Sequence, residues 1–70
     1  MKKLPTMTAG EMMTIRNRLE KAQREMAEEL GVDLRSYQRW EYGERSIPGP
    51  AVKLARRILA DHDSAIKKMQ

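Results

Sequence analysis

Apolar residues recur at the spacing of amphipathic helices along most of the 70-residue chain. Near the start, the pattern T-x-x-E at Thr8 and Glu11 predicts a capped helix, whose inner stripe is Met12, Ile15, Leu19 and Ala22. Pro50 suits the first turn of a later helix, whose predicted buried side is Ala51, Leu54, Ala55 and Ile58. The periodicity predicts an all-α fold, a compact bundle of four to five short helices.

The segment 23–43, with the sequence QREMAEELGVDLRSYQRWEYG, predicts two short helices joined by a tight turn. Gly31 is suited to end the first helix in a left-handed conformation. Asp33 is suited to cap the second helix, and Gly43 marks its end. The apolar stripe of the first helix is Met26, Ala27 and Leu30.

The second of these helices has two chemically different faces on a wheel of about 100° per residue. Tyr37 and Trp40 point to one side, whereas Arg35, Gln38 and Arg39 share the other. Arginine can bind guanine O6 and N7 together, and glutamine can bind adenine N6 and N7. This face favours insertion into the major groove of DNA. The alternative is that the arginines are a solvated face whose aliphatic stems cover the core.

The same residues resemble the lambda repressor/Cro-like, or XRE, family of helix-turn-helix proteins. The resemblance covers about residues 8–60, most of the chain. It rests mainly on the turn L-G-V and on the ending W-E-x-G, and the matching residues are Gln23, Met26, Ala27, Leu30, Gly31, Val32, Tyr37, Trp40, Glu41 and Gly43. It implies a lambda-repressor-like, DNA-binding fold.

Roles for individual residues follow from the resemblance. It implies a phosphate contact at Gln23 and base contacts at Leu34, Arg35, Gln38 and Arg39. It also implies an ion pair between Arg16 and Glu41 that joins the first helix to the third. We further predict DNA phosphate contacts at Arg24, Tyr42 and Arg45.

Two positions depart from the family pattern. The family has a glycine-containing loop and a Ser or Thr cap before the second helix, whereas this chain has Glu20-Lys21-Ala22 there. Helix propensity alone would join the first two helices across these residues, but we predict a break. Tyr37 occupies a place where a smaller β-branched residue is usual, so its hydroxyl needs a buried partner.

The charge and composition of the chain limit the classes of function that it could have. The chain carries 14 Lys and Arg against 10 Asp and Glu, a net charge of +4, which favours nucleic acid or an anionic surface. Residues 21–45, however, hold five basic and six acidic side chains, so placement rather than total charge supports DNA binding. The lack of cysteine and the single His62 argue against a metal site, a cofactor or an enzyme.

The predicted organisation has three parts: a flexible arm at residues 1–7, a DNA-binding domain at 8–60 and a C-terminal helical extension at 61–70. The apolar stripe continues into the extension, and it predicts a dimer interface at Leu59, His62, Ile66 and Met69. The alternative is a fifth helix, capped by Asp63 or Ser64, that folds back on the domain.

These observations predict a cytoplasmic, nucleoid-associated transcription regulator, a small autorepressor. It would bind double-stranded DNA at a palindromic operator as a homodimer, with the recognition helix 34–42 in the major groove. The alternative is an antitoxin-like interaction module that binds a toxin and touches DNA only secondarily. No apolar run approaches the length of a membrane span.

Overall fold

The described part of the chain, residues 5–69 of a computed structural model, is a bundle of four helices without strands. The helices are α1 (Ala9–Arg18), α2 (Gln23–Leu30), α3 (Leu34–Glu41) and α4 (Gly49–Met69). Helix α3 packs against both α1 and α2, and α4 packs across α1 and α2. The predicted all-α fold is therefore confirmed.

Local sequence determines where the helices begin and end. The Thr8 hydroxyl accepts a hydrogen bond from the Glu11 amide at 3.1 Å, and this caps α1. The Asp33 carboxylate accepts one from the Ser36 amide at 3.1 Å and caps α3. Gly31 ends α2 with φ of 72°, a left-handed conformation that glycine adopts without steric cost. The three predicted boundaries are confirmed.

The predicted break between α1 and α2 is also present. Glu20 takes the left-handed conformation with φ of 55°, the role that a glycine would ordinarily have. In place of a Ser or Thr cap, the Glu25 carboxylate accepts a hydrogen bond from the Ala22 amide at 2.9 Å. The Arg16 guanidinium binds the Lys21 carbonyl at 3.0 Å and holds the turn from inside.

Because Glu20 carries this left-handed strain, Glu20→Gly is expected to raise the free energy of unfolding by about 1 kcal/mol. Chemical denaturation of the purified protein measures the change. Glu28→Gly is the matched control, because Glu28 lies exposed within α2, where glycine should instead cost about 1 kcal/mol. Destabilisation by both substitutions would contradict the proposed strain.

Two residues that were predicted to be buried, Ala22 and Leu54, are exposed in the structure. Ala22 is exposed because it is the N-cap of α2 rather than part of α1. Leu54 is 39% exposed, whereas Val52 is fully buried, so the inner face of α4 is rotated from the predicted one. The buried apolar residues are Met12, Ile15, Leu19, Met26, Ala27, Leu30, Tyr37, Trp40, Ile47, Val52 and Ala55.

Helix α4 continues without a break for 21 residues. The alternative of a separate fifth helix is therefore wrong, as is the expectation that every helix is short. Asp63 does not cap a helix: its carboxylate accepts hydrogen bonds from the Arg18 guanidinium at 3.0 and 3.1 Å. This pair joins α1 to the C-terminal half of α4. No helix in residues 5–69 is both long and apolar enough to cross a membrane.

Part of the predicted N-terminal arm, residues 1–4, lies outside the described residues. The following residues, up to Thr8, have no regular secondary structure. The Arg56 guanidinium of α4 binds the Thr6 carbonyl at 2.9 Å. The chain that leads into α1 is thereby attached to α4.

Candidate nucleic-acid interface

Two buried aromatic side chains fix the rotation of α3. Tyr37 and Trp40 are in the core, and their rings meet edge to face with centroids 6.1 Å apart. Such pairs add about 0.5–1.5 kcal/mol to the stabilisation from burial. The predicted inner face of α3 is therefore confirmed, and the opposite face is held toward the solvent.

The outer face of α3 carries the predicted base-contacting residues. Arg35 is exposed, and Leu34, Gln38 and Arg39 are half-buried. At the start of the helix, a hydrogen bond from the Ser36 hydroxyl and another from its amide lower the pKa of Asp33, which keeps this cap ionised. The interface thus offers two guanidinium groups and an amide on one short helix.

Arg16 and Glu41 form a two-pronged ion pair between α1 and α3. Arg16 Nε lies 2.6 Å from Glu41 Oε2, and Arg16 Nη2 lies 3.1 Å from Oε1. Burial by itself would raise the pKa of Glu41, but the hydrogen bonds from Arg16, the neighbouring Tyr37 hydroxyl and the hydrogen bond from Gln23 together outweigh burial and lower it. The Glu41 side chain is 0% exposed, so it depends on these donors for its charge.

The ion pair continues through the side-chain amides of Gln23 and Gln38, two predicted DNA-contacting residues whose connection the sequence does not show. Gln23 Nε2 donates to Glu41 Oε1 at 3.2 Å, and Gln38 Nε2 donates to Gln23 Oε1 at 3.1 Å. The side of α3 that bears Gln38 was evident from the helical wheel. Its distance from Gln23 depends on how α2 packs against α3, which periodicity does not determine.

The Tyr37 hydroxyl is buried and has no hydrogen-bond partner among the described residues. Within that part of the chain, no predicted partner reaches normal hydrogen-bond geometry. Burial raises the pKa of Tyr37, and the nearby Glu41 carboxylate raises it further. The hydroxyl is therefore un-ionised, and it lies beside the Glu41 carboxylate without a hydrogen bond of normal geometry among the described residues.

Removing this hydroxyl is expected to stabilise the fold. Tyr37→Phe should raise the free energy of unfolding by about 1 kcal/mol, because an unsatisfied buried hydroxyl carries a desolvation penalty of about 1–3 kcal/mol. Guanidinium denaturation measures it. Tyr42→Phe is the control, since that hydroxyl is exposed and its loss should change stability little. A destabilised Tyr37→Phe protein would show that the hydroxyl is satisfied in solution.

The remaining predicted residues lie at the periphery. Arg24, Tyr42 and Arg45 are exposed, with Arg24 in the first turn of α2 and Arg45 in the loop after α3. The proposed dimer residues differ in exposure: Leu59 and His62 are half-buried, whereas Ile66 and Met69 are exposed. Within residues 5–69, no group of His, Cys, Asp and Glu side chains could hold a metal ion.

Comparison with known families gives one match. Residues 12–59 match the family model described as helix-turn-helix. The matched range runs from within α1 through α2 and α3 into the first half of α4. No curated protein and no solved structure gives a significant match to the chain.

Proposed function

The chain belongs to the Cro/C1-type helix-turn-helix (XRE) family of DNA-binding transcription regulators, and we propose that it is a repressor that binds an inverted-repeat operator as a homodimer. The observation that carries the proposal is the orientation of α3. Its aromatic side is buried in the core, so its arginine side is available to the major groove.

Base contacts are proposed for the outer face of α3. Arg35 and Arg39 supply guanidinium groups suited to guanine, and Gln38 supplies an amide. Leu34 is half-buried at the start of the helix, where its side chain can contact a thymine methyl group. These four residues are the proposed source of sequence specificity.

Phosphate contacts are proposed around this face. The N-cap of α2 is Ala22, which has no side-chain acceptor, so the first-turn amides at Gln23 and Arg24 are available to an anion. Tyr42 and Arg45 are exposed at the end of α3 and in the following loop. Such contacts position the protein without distinguishing sequences.

The proposed dimer uses the C-terminal half of α4. Ile66 is 43% exposed and Met69 is 86% exposed, and pairing of two copies would cover them together with Leu59 and His62. A two-fold axis would place two copies of α3 about 34 Å apart on DNA. Occupancy of the operator would then depend on the concentration of the protein itself.

Selection from random duplex DNA at near-physiological salt tests the proposal, since salt suppresses non-specific phosphate binding. The expected product is a two-fold symmetric site with half-sites about one helical turn apart. Enrichment of an asymmetric site would refute the dimer. If the folded protein enriched nothing, operator binding would be refuted.

The second candidate function is an antitoxin-like module whose partner is a toxin, and the exposed Ile66 and Met69 would serve such a partner as well as a second copy of the chain. Alanine at Arg35 and Arg39 separates the functions, whereas charged substitutions at Ile66 and Met69 would disturb a homodimer as well as a partner complex. An interaction module should lose its partner only in the α4 variants. A DNA-binding repressor should lose its operator in the α3 variants.

A further inference from the structure

We propose that Gln23 and Glu41 are positioning residues: they orient the Gln38 side-chain amide and thereby determine which DNA base it binds. The inference rests on the proposed insertion of α3 into the major groove. Its basis is the chain of hydrogen bonds that runs from Arg16 on α1 through Glu41 and Gln23 to Gln38. This series of hydrogen bonds determines whether the oxygen or the nitrogen of the Gln38 amide faces outward.

The direction of the hydrogen bonds follows from the chemistry of the first pair. A guanidinium group only donates, and an ionised carboxylate only accepts. Arg16 binds both oxygens of the buried Glu41 carboxylate. Glu41 Oε1 can therefore bind only the amide nitrogen of Gln23, 3.2 Å away. The Gln23 carbonyl oxygen is then the atom that faces Gln38.

The same argument determines the orientation of Gln38. Gln23 Oε1 only accepts, so Gln38 must present its Nε2, which lies 3.1 Å away. Rotating the Gln38 amide by 180° would place two carbonyl oxygens against each other. The Gln38 carbonyl oxygen takes no part in the chain, and it is the acceptor left for DNA, beside the second N–H of Nε2.

An outward acceptor favours bases that carry an amino group in the major groove. These are adenine, through N6, and cytosine, through N4. Guanine O6 and thymine O4 are acceptors and would oppose the Gln38 oxygen. Adenine also offers N7 to the remaining N–H of Gln38. The base opposite Gln38 is therefore adenine first and cytosine second.

The test first locates the base and then releases the amide. With the site selected by the unaltered protein, Gln38→Ala identifies the base pair whose discrimination is lost. Gln23→Met then removes both hydrogen bonds of Gln23 while leaving the Arg16–Glu41 pair in place. Dissociation constants are measured for all four base pairs at every position. Glu28→Met is the matched control, an exposed position on the same helix.

In Gln23→Met, the freed Gln38 amide can turn over and place its NH2 group where its oxygen stood, so that it can also donate to guanine O6 or thymine O4 at that position. The preference for adenine over guanine at that base pair should fall from roughly 5- to 100-fold to about 3-fold or less. Preferences at the other positions should remain, as should all preferences of Glu28→Met. This loss at one base pair would support the inference, because a purely structural defect lowers affinity for every sequence.

Three outcomes would overturn the inference. An equal loss on all sequences in Gln23→Met would make the Gln23 side chain a structural support or a phosphate contact, and not a positioning residue for Gln38. A guanine or thymine at the base that Gln38 contacts in the selected site would contradict the proposed orientation of the Gln38 amide. Unaltered base preferences in Gln38→Ala would remove the contact itself. In each case an enriched symmetric site still supports the proposed repressor, whereas the failure to enrich any site refutes that function as well.

Discussion

Arg16→Met is expected to lower the free energy of unfolding by about 3–5 kcal/mol at neutral pH. Methionine keeps the aliphatic length and the helix propensity of the side chain, but the buried Glu41 carboxylate loses its cation. Gln23 would remain as a side-chain donor to it. Denaturant unfolding monitored by circular dichroism gives the change.

The control is a second arginine on α1. Arg18 pairs with Asp63, but these side chains are 58% and 37% exposed, and exposed pairs contribute only about 0–1 kcal/mol. Arg18→Met should therefore change stability by less than about 1 kcal/mol. If the two substitutions had equal effects, burial of Glu41 would not be the cause of the loss.

The pH dependence gives an independent check on the Arg16 prediction. The pKa of Glu41 in the fold lies below its ordinary value of 4.5, so its stabilisation is present above that value and is lost as pH falls through the lower folded pKa. In Arg16→Met, burial without the cation should raise the Glu41 pKa above its ordinary value. The variant should therefore gain stability as pH falls from 7 toward 4.5. Parallel pH profiles for the two proteins would contradict the assignment.

Sequence patterns predicted the local features of the fold because those features depend on near neighbours. The caps at Thr8 and Asp33 and the left-handed Gly31 each follow from one or two residues, and the structure confirms them. The aromatic side of α3 followed from its periodicity. The helix-turn-helix match is therefore explained by short sequence patterns that can be recognised in this chain.

Features that depend on packing were missed. The periodicity of α4 did not distinguish Val52 from Leu54 as the buried residue, because both lie near the edge of a broad apolar stripe. The sequence also left open whether α4 continues past Asp63 or a new helix begins there, because the Asp63 carboxylate could serve as a cap; instead, that carboxylate binds Arg18, 45 residues away in the sequence. The spacing of residues along the sequence does not show that Arg18 and Asp63 lie within hydrogen-bond distance in the fold.

In the candidate interface, too, features of a single helix were predicted, whereas the side-chain contact between α2 and α3 was not. The sequence indicates Gln23 and Gln38 separately, each by its place on its own helix. Their hydrogen bond requires α2 and α3 to cross at a particular separation, and it gives both amides a fixed orientation. The chemistry that distinguishes bases is thus partly set by contacts between helices.

Alanine at Arg35 or at Arg39 is expected to weaken binding to the selected DNA site by about 1–3 kcal/mol and to remove the preference for one base pair. The reason is that each guanidinium lies on the outer face of α3, where two donors can bind guanine O6 and N7 together. Dissociation constants are measured for the site and for single-base-pair variants of it. The affected base pair should differ between the two substitutions.

Arg45→Ala is the matched control, because this arginine lies in the loop after α3 rather than on its outer face. Its loss should weaken binding to all sequences about equally and reduce the salt dependence of binding by about one counterion. An equal loss on all sequences in Arg35→Ala or Arg39→Ala would make that residue a phosphate contact. Unchanged affinity would make it part of a solvated face, and specificity would then have to come from Gln38, Leu34 and the shape of the DNA.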